Sequence, residues 1–469
     1  MNPKVININT LISNNQKENA DWIYVAPNGM LKVSTQKLYM HLKENLNLKI
    51  TEKGNLFLYE KPIYRPITPR EFKGLIKSYI PIEIRTEKDW EAVYKEFSTD
   101  DPNAFESDFN SDEKIVGFNN GILNLKSGEM EEYNEDVLLT RIVSCNYQSN
   151  KTLDDAPVFQ SYLKTLCNDD EIKMNFLLEY IGGILSNVKG YRFKILLILV
   201  GEGNTGKTQI RELTMELLGR KHCVSIDMRR INEKFGSAQL YRKRLAGSGD
   251  MSTGEIADLN VIKNLTGGDD LFGEYKGKDG FNFCYDGFLW FNANSLPYFR
   301  GDRGQHVYDR FVIIKCNNVV PESQRDPLIL EKMLKEKDTI ASIAIDKFRK
   351  AVDRGYKFSI SEEMIQNKRN YQIENNSLLL FVKECCELYT VNDKIKRSEF
   401  NDIYKRWCSA NRILPERDRD IGKQLSEYFL IDAHKISGHY FYPLKIKIDI
   451  LNEYKKGESY FEFNGFSKK

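Results

Sequence analysis

Nowhere in this sequence does an apolar run approach the ~18 residues that a membrane-crossing helix needs, so no membrane partner is expected. The opening stretch MNPKVININTLISNN lacks the apolar core of a secretory leader, and a cytoplasmic protein is the expectation. Metal-type cysteine spacing is missing too. The eight cysteines form no CxxC, and the closest pair, Cys385 and Cys386, are adjacent. With five scattered histidines a zinc site is not expected, and buried free thiols in a reducing compartment are. Charge of one sign is absent as well: 69 Lys and Arg against 67 Asp and Glu leave a formal net charge of +2. Global charge therefore neither supports nor excludes nucleic acid, and any basic surface must be local. A chain of 469 residues is too long for one core and implies about two to four domains.

What is present is organised around Arg192–Gln209, RFKILLILVGEGNTGKTQ. An apolar run from Ile195 to Val200 reads as a buried strand, followed by a glycine-rich turn and the start of a helix. The pattern G-x-x-x-x-G-K-[ST] is met by Gly201, Gly206, Lys207 and Thr208 in that context. The chemistry asks for these residue types. Backbone N–H groups of Glu202, Gly203, Asn204, Thr205 and Gln209 can converge on phosphate oxygens at the positive end of the helix. Lys207 is expected to reach the β- and γ-phosphates of ATP, and the Thr208 hydroxyl to hold Mg²⁺.

Residues 1–110 are polar and mixed, with strand-like alternation at Leu56–Tyr59 and helix-breaking prolines at 62, 66 and 69. The acidic, turn-rich stretch 98–113 reads as a linker or exposed loop, and its acids as solvated rather than metal-binding. Residues 111–190 form the next module: hairpin signals at Asn119-Asn120-Gly121 and Ser127-Gly128, then helical periodicity from Ala156. After the phosphate loop a helix runs to Leu218, residues 223–228 read as a strand, and Phe235–Arg244 looks helical. Leu245–Asp250 is weakly apolar and ends in an acid, where a Mg·ATP site needs a carboxylate. Alternating segments 271–275 and 281–285 flank KGKDG, a hairpin with Lys276 and Lys278 at or near its tip. Phe288–Phe291 is a buried strand running into Asn292-Ala293-Asn294, and Arg310 stands at the entrance to another.

Together these residues resemble the superfamily-three helicase core of the phage/plasmid primase–helicase family. The resemblance runs from N-N-G-x-L-[ND]-L at Asn119 to Leu125, through the phosphate loop, L-x-G-G-D with its hairpin, and N-x-x-P, to an arginine before an apolar strand. It implies an α/β fold: an AAA+-type P-loop core with a parallel sheet over 191–353, preceded by a small α+β module. It further implies that Lys207 and Thr208 belong to Walker A and that Asp250 is the Walker B acid. The sequence departs from the family pattern in having no second acid beside Asp250, so the general base is unassigned, with Glu255 a nearby candidate. Asn294 takes the place of the polar sensor, and Arg310 that of an arginine finger offered to a neighbouring subunit. Lys276 and Lys278 fall on the hairpin that follows single-stranded DNA through a pore, although Glu274 sits where relatives often carry a basic residue. An arginine acting in trans requires a homo-oligomer, and the resemblance implies a hexameric ring.

Residues 321–353 read as amphipathic helix, 354–374 as a charged linker, and 375–446 as a separate small domain. Helices over 378–388, 398–410 and 415–429 followed by a hairpin over Ser437-Gly438 give winged-helix order. Arg417, Arg419, Lys423 and Gln424 are expected on the exposed face of the third helix, as a reader of origin duplex. The tail 447–469 is charged and expected to fray. Two rival readings stay open: a combined primase–helicase with its polymerase centre in 1–110, and an ATP-switched DNA-binding regulator that does not unwind.

Overall fold

The computed structural model describes residues 20–251, 256, 259–277, 279–297, 299, 305–388, 393–411 and 413–455. They fall into two compact units. One holds the described residues of 20–251, 261–294 and 315–361, and the other those of 256–260, 295–314 and 362–455.

The first unit begins with a hairpin, β1 (Ile23–Val25) and β2 (Leu31–Val33), and α1 (Thr35–Asn45). An antiparallel meander follows, β3 (Leu48–Ile50), β4 (Leu56–Glu60) and β5 (Ile63–Ile67), then α2 (Pro69–Ser78) and α3 (Glu87–Thr99). Why α2 starts where it does is plain. The Thr68 hydroxyl accepts from the Glu71 N–H, the Glu71 carboxylate accepts from the Thr68 N–H at 2.8 Å, and Pro69 sits where no donor is needed. Trp22, Leu38, Leu42, Phe72, Ile76, Val93 and Phe97 fill this module's core.

A second meander, β6 (Ile115–Phe118), β7 (Gly121–Asn124) and β8 (Met130–Glu131), turns at both places the sequence marks. In the second turn Asn124 Oδ1 accepts from the backbones of Lys126 and Ser127 at 3.0 and 3.1 Å. The helical stretch is two helices, α4 (Pro157–Cys167) and α5 (Glu171–Leu185). Asn168 and Asp169 break it in the left-handed region, at φ 55° and 57°, and Asp170 caps α5.

Five strands form the central sheet: β9 (Leu196–Val200), β10 (Cys223–Ser225), β11 (Leu245–Gly247), β14 (Phe288–Ala293) and β15 (Phe311–Lys315). Their order is β10-β11-β14-β9-β15, and the β10–β11, β11–β14 and β14–β9 pairs are parallel. β9 is buried along its whole length, as its unbroken apolar run requires. Between β9 and β10 runs α6 (Lys207–Leu218); α7 (Met228–Ile231) follows β10. α8 (Asn260–Gly267) leads to the hairpin of β12 (Asp270–Gly273) and β13 (Phe281–Cys284), and α9 (Gln305–Tyr308) precedes β15. Residues 235–244 hold no α-helix; only the 3-10 turn Ser237–Leu240 forms there. α10 (Ile329–Lys335) and α11 (Lys337–Asp353) complete the unit, α11 packing its buried face along α5.

In the second unit, residues 362–374, read from sequence as linker, form α12 (Glu362–Glu374). Its anchors are Met364, Asn367, Tyr371 and Gln372 at helical spacing, and Tyr371 donates to the Pro297 carbonyl at 2.5 Å. Polar anchors hid this helix from an apolar-periodicity reading. α13 (Ser377–Cys385) stops short of the expected end, because Cys386–Leu388 leaves as β16 to pair with β20 (Leu444–Ile446). β17 (Ile395–Lys396), α14 (Arg397–Ala410) and α15 (Asp418–Phe429) come next, then the hairpin β18 (His434–Ile436) and β19 (His439–Tyr442). Ile436 faces His439 across Ser437-Gly438, whose φ values of 45° and 86° are those of a tight two-residue turn. β17 pairs with β19, and Phe381, Phe400, Tyr404, Trp407, Ile421 and Leu425 form the core beneath. Ile448–Lys455, expected as frayed tail, is helix α16.

Candidate nucleotide site

The site is built where β9 ends. The Gly201 N–H donates to the Ala293 carbonyl of β14 at 3.2 Å, so the loop departs from the middle of the sheet. A side chain at 201 would place its Cβ 2.1 Å from the Cys316 carbonyl oxygen, which explains the first glycine of the motif. Gly206 enters α6 at φ 92°, a left-handed conformation, with the Tyr162 hydroxyl bonded to its carbonyl. Glu202, Gly203, Asn204 and Thr208 are exposed, Gln209 is partly exposed, and Thr205 is buried.

Lys207 is buried at 7 % exposure and folds back on its own loop. Its Nζ donates to the carbonyls of Gly201 and Glu202, each at 2.7 Å, and to Thr205 Oγ1 at 3.1 Å. Burial lowers the Lys207 pKa, while the charge of Asp250 opposes that shift, so the two residues share one electrostatic neighbourhood. Asp250 is exposed in the turn after β11. Ser248 shapes that turn: its Oγ donates to the Asp250 carbonyl at 2.8 Å and accepts from the Asp250 N–H at 3.2 Å. Both sides of the turn are tied to β14, Met251 N–H to the Asn292 carbonyl at 2.7 Å and Asn292 N–H to the Ser248 carbonyl at 2.8 Å.

Asn294 follows Ala293, the residue in register with Val200 of β9, and is exposed at the sheet edge from which the loop springs. Lys207, Thr208, Asp250 and Asn294 thus all stand at the C-terminal ends of β9, β11 and β14. Arg310 belongs to the other unit. It closes the turn before β15, part-buried, next to Asp309, which pairs with Lys368 at 2.8 Å. Glu255 lies outside the described residues.

Two residues of the nucleotide site escaped the sequence reading. Asn292 is buried; its Nδ2 donates to the Lys207 carbonyl at 2.8 Å and its Oδ1 accepts from Trp290 Nε1 at 3.0 Å. It ties the first turn of α6 to the central strand. Arg211 is buried beneath the Asp250 turn, donating to the Gly247 carbonyl at 2.9 Å, and burial lowers its pKa. An arginine between Ile210 and Leu213 on an otherwise apolar helix face is the signal that could have found it.

Lys276 is exposed at the tip of the β12–β13 hairpin, and Lys278 lies outside the described residues. Glu274 is paired with Lys234 at 3.6 Å. In the second unit, Arg417, Arg419 and Lys423 are exposed. Arg417 is the N-cap of α15 rather than part of it, because the helix begins at Asp418, not Pro415. Gln424 departs from the expected exposed face. It is half-buried, accepting from Asn376 Nδ2 at 3.0 Å and donating to Glu416 at 3.3 Å, so it braces the domain.

Comparison with known proteins adds two partial family matches and a set of relatives. Residues 75–168 match a family described as D5 N terminal like, and residues 199–310 a family of unknown function (DUF5906). The chain is 24% identical over 319 residues to Putative helicase 184R of Invertebrate iridescent virus 6, covering 62% of this chain and 32% of that protein. It is 25% identical over 336 residues to Putative helicase 121R of Invertebrate iridescent virus 3, covering 62% and 34%. The chain therefore spans about a third of the length of these relatives. Among solved structures it is similar to the apo A form of the NrS-1 C terminal region, at 13% identity and a TM-score of 0.48 over 87% of this chain and 98% of that one. A second apo structure of that region (305-718) gives 14% identity and a TM-score of 0.46, over 88% and 99%.

Proposed function

We propose that this chain is an ATP-driven, ring-forming DNA helicase that initiates replication of a mobile genetic element, in the manner of the initiators of staphylococcal phage-inducible islands. One observation carries the reading: the lysine of a phosphate loop, an acid within its electrostatic reach and a polar strand-end residue converge on one edge of a parallel sheet. Similarity to two viral proteins named as helicases supports the choice of activity.

The residues fit Mg·ATP. Lys207 now holds three neutral oxygens, and phosphate oxygens are stronger partners for an ammonium. Lys207 would hold the phosphates, with Thr208 and Asp250 on the metal and Asn294 beside the terminal phosphate. Bound Mg·ATP supplies a phosphoryl group for transfer to water, a reaction that needs chiefly positioning and charge stabilisation. Arg310 would add its charge at a neighbour's site. Lys276 and Lys278 would follow a single strand in the ring, and Arg417, Arg419 and Lys423 would meet origin duplex.

The test is ATP hydrolysis together with strand displacement, comparing the parent chain with Lys207→Ala. The substitution is expected to lower hydrolysis at least 100-fold and to abolish displacement. Hydrolysis that survives it rejects the site, and hydrolysis by the parent chain without displacement favours an ATP-switched regulator.

A further inference from the structure

A cavity of about 1140 Å³ in the first unit is lined on one side by the β3–β5 meander and on the other by residues that precede β10, β11 and β14. The sheet strands are parallel, so this is the N-terminal edge, opposite the edge that carries the phosphate loop. Four of the cavity's five carboxylates are ion-paired, and the fifth, Glu52, accepts from the Glu106 N–H at 2.9 Å. Glu60 and Glu71 pair with Arg65 at 2.9 and 3.0 Å, Glu106 with Arg242 at 2.6 Å and Lys53 at 3.2 Å, and Asp286 with Lys189 at 3.1 Å.

Three cations remain on the sheet side: Arg141, Lys221 and Lys243. Among the described residues, none has a carboxylate within 4.0 Å. Arg141 makes one hydrogen bond, Nη2 to Asn187 Oδ1 at 3.1 Å, and its buried Nε has no partner. Lys243 Nζ donates only to the Lys221 carbonyl, at 2.6 Å. All three converge on His222, whose pKa falls to about 3 through burial first and then their charge. Asp286, paired with Lys189, is the counter-charge that Arg141 feels, and one carboxylate among Arg141, Lys189, Lys221 and Lys243 leaves positive charge in excess. Excess like charge opposes folding, and a forked guanidinium beside two ammoniums is the donor set for a phosphate. A bare phosphate would fill little of this volume. Phe57 and Phe109 are buried and stacked on each other, and the Arg242 guanidinium lies over the rings of Phe57 and Tyr241. Tyr191, partly exposed on the same wall, is left as the ring that a base can meet.

We propose that this cavity is a second nucleotide site, binding phosphate on Arg141, Lys221 and Lys243 and a base against Tyr191. The phosphate can belong to a free nucleotide or to the end of a single strand. Neither source depends on the phosphate loop.

The experiment titrates the full chain carrying Lys207→Ala with ADP, with a 5′-phosphorylated dT tetranucleotide and with pyrophosphate, by calorimetry. ADP or the oligonucleotide is expected to bind, displaceable by pyrophosphate, and the tighter of the two identifies the source. Adding Lys221→Gln and Lys243→Gln should weaken binding at least tenfold while the ligand-free Tm stays level or rises, because repulsion is relieved. A structural role alone would lower Tm instead. Arg141→Gln should weaken binding likewise; the two lysine variants stand in for it if it does not fold. Absence of binding by every probe, or affinity unchanged by the lysine substitutions, overturns the proposal. Because the loop lysine is already removed, failure of the ATPase reading leaves this result unaffected.

Discussion

Asn292 shows how much one side chain can hold. Its amide satisfies a backbone carbonyl in the first turn of α6 and the indole N–H of Trp290 at once, inside a buried layer. Asn292→Ala leaves both groups without partners, each at roughly 1–3 kcal/mol. A loss of about 2–6 kcal/mol in denaturant titration is expected on that principle, along with weaker ATP binding. His222 carries a pH signature of different origin. Facing it are Lys221 on its own turn, Arg141 from the strand-like segment after β8, and Lys243 before β11. Its folded pKa of about 3 lies below its ordinary value of 6.5. Between those values the unfolded chain takes up a proton that the folded chain does not. Stability present above pH 6.5 is therefore lost as pH falls toward 3, by at most about 1.4 kcal/mol per pH unit. Melting curves from pH 7 to 4 should flatten in His222→Asn by that slope; identical slopes would refute the assignment.

At the scale of elements, the strand–loop–helix of β9 and α6 is the most tightly determined piece. A fully apolar strand must be central, and the loop leaving it must pass beside the Cys316 carbonyl, where only glycine fits. Gly201→Ala should therefore shift the loop rather than unfold the sheet. The expected result is at least a 100-fold drop in ATP hydrolysis with a Tm change of a few degrees, read by turnover and circular dichroism. Legibility varied with the kind of signal. Turns at Asn119-Asn120 and Ser127-Gly128 were readable because their residues act locally. α12 was not, because Asn367 and Gln372 are buried on polar bonds that periodicity does not register. Residues 235–244 misled in the opposite direction: their helical pattern yields only a short 3-10 turn, and Phe235 sits at φ 71°.

For the whole molecule the open question is assembly. If Arg310 serves the site of a neighbouring copy, Arg310→Ala should bind ATP normally and hydrolyse it poorly. Mixing Arg310→Ala with Lys207→Ala subunits should partly restore turnover, since some interfaces then pair an intact loop with an intact arginine. Absence of rescue in hetero-oligomers verified by mass would remove action in trans. Removal of residues 375–469 should separately abolish duplex binding while sparing hydrolysis, read by gel shift and turnover.

The amino-acid order alone fixed the glycine-rich loop, the strand before it and the turns. Each of these is specified by neighbours a few residues apart. Only the tertiary structure decided that Asn292 ties α6 to the central strand, that Arg211 holds the turn after β11, that Gln424 is half-buried and bonded to Asn376, and that Arg141, Lys221 and Lys243 gather at the far edge of the sheet. Those are relations between segments tens of residues apart. Strand order sets them, and hydrogen bonding in a buried setting depends on the partner brought into reach, which no local pattern encodes.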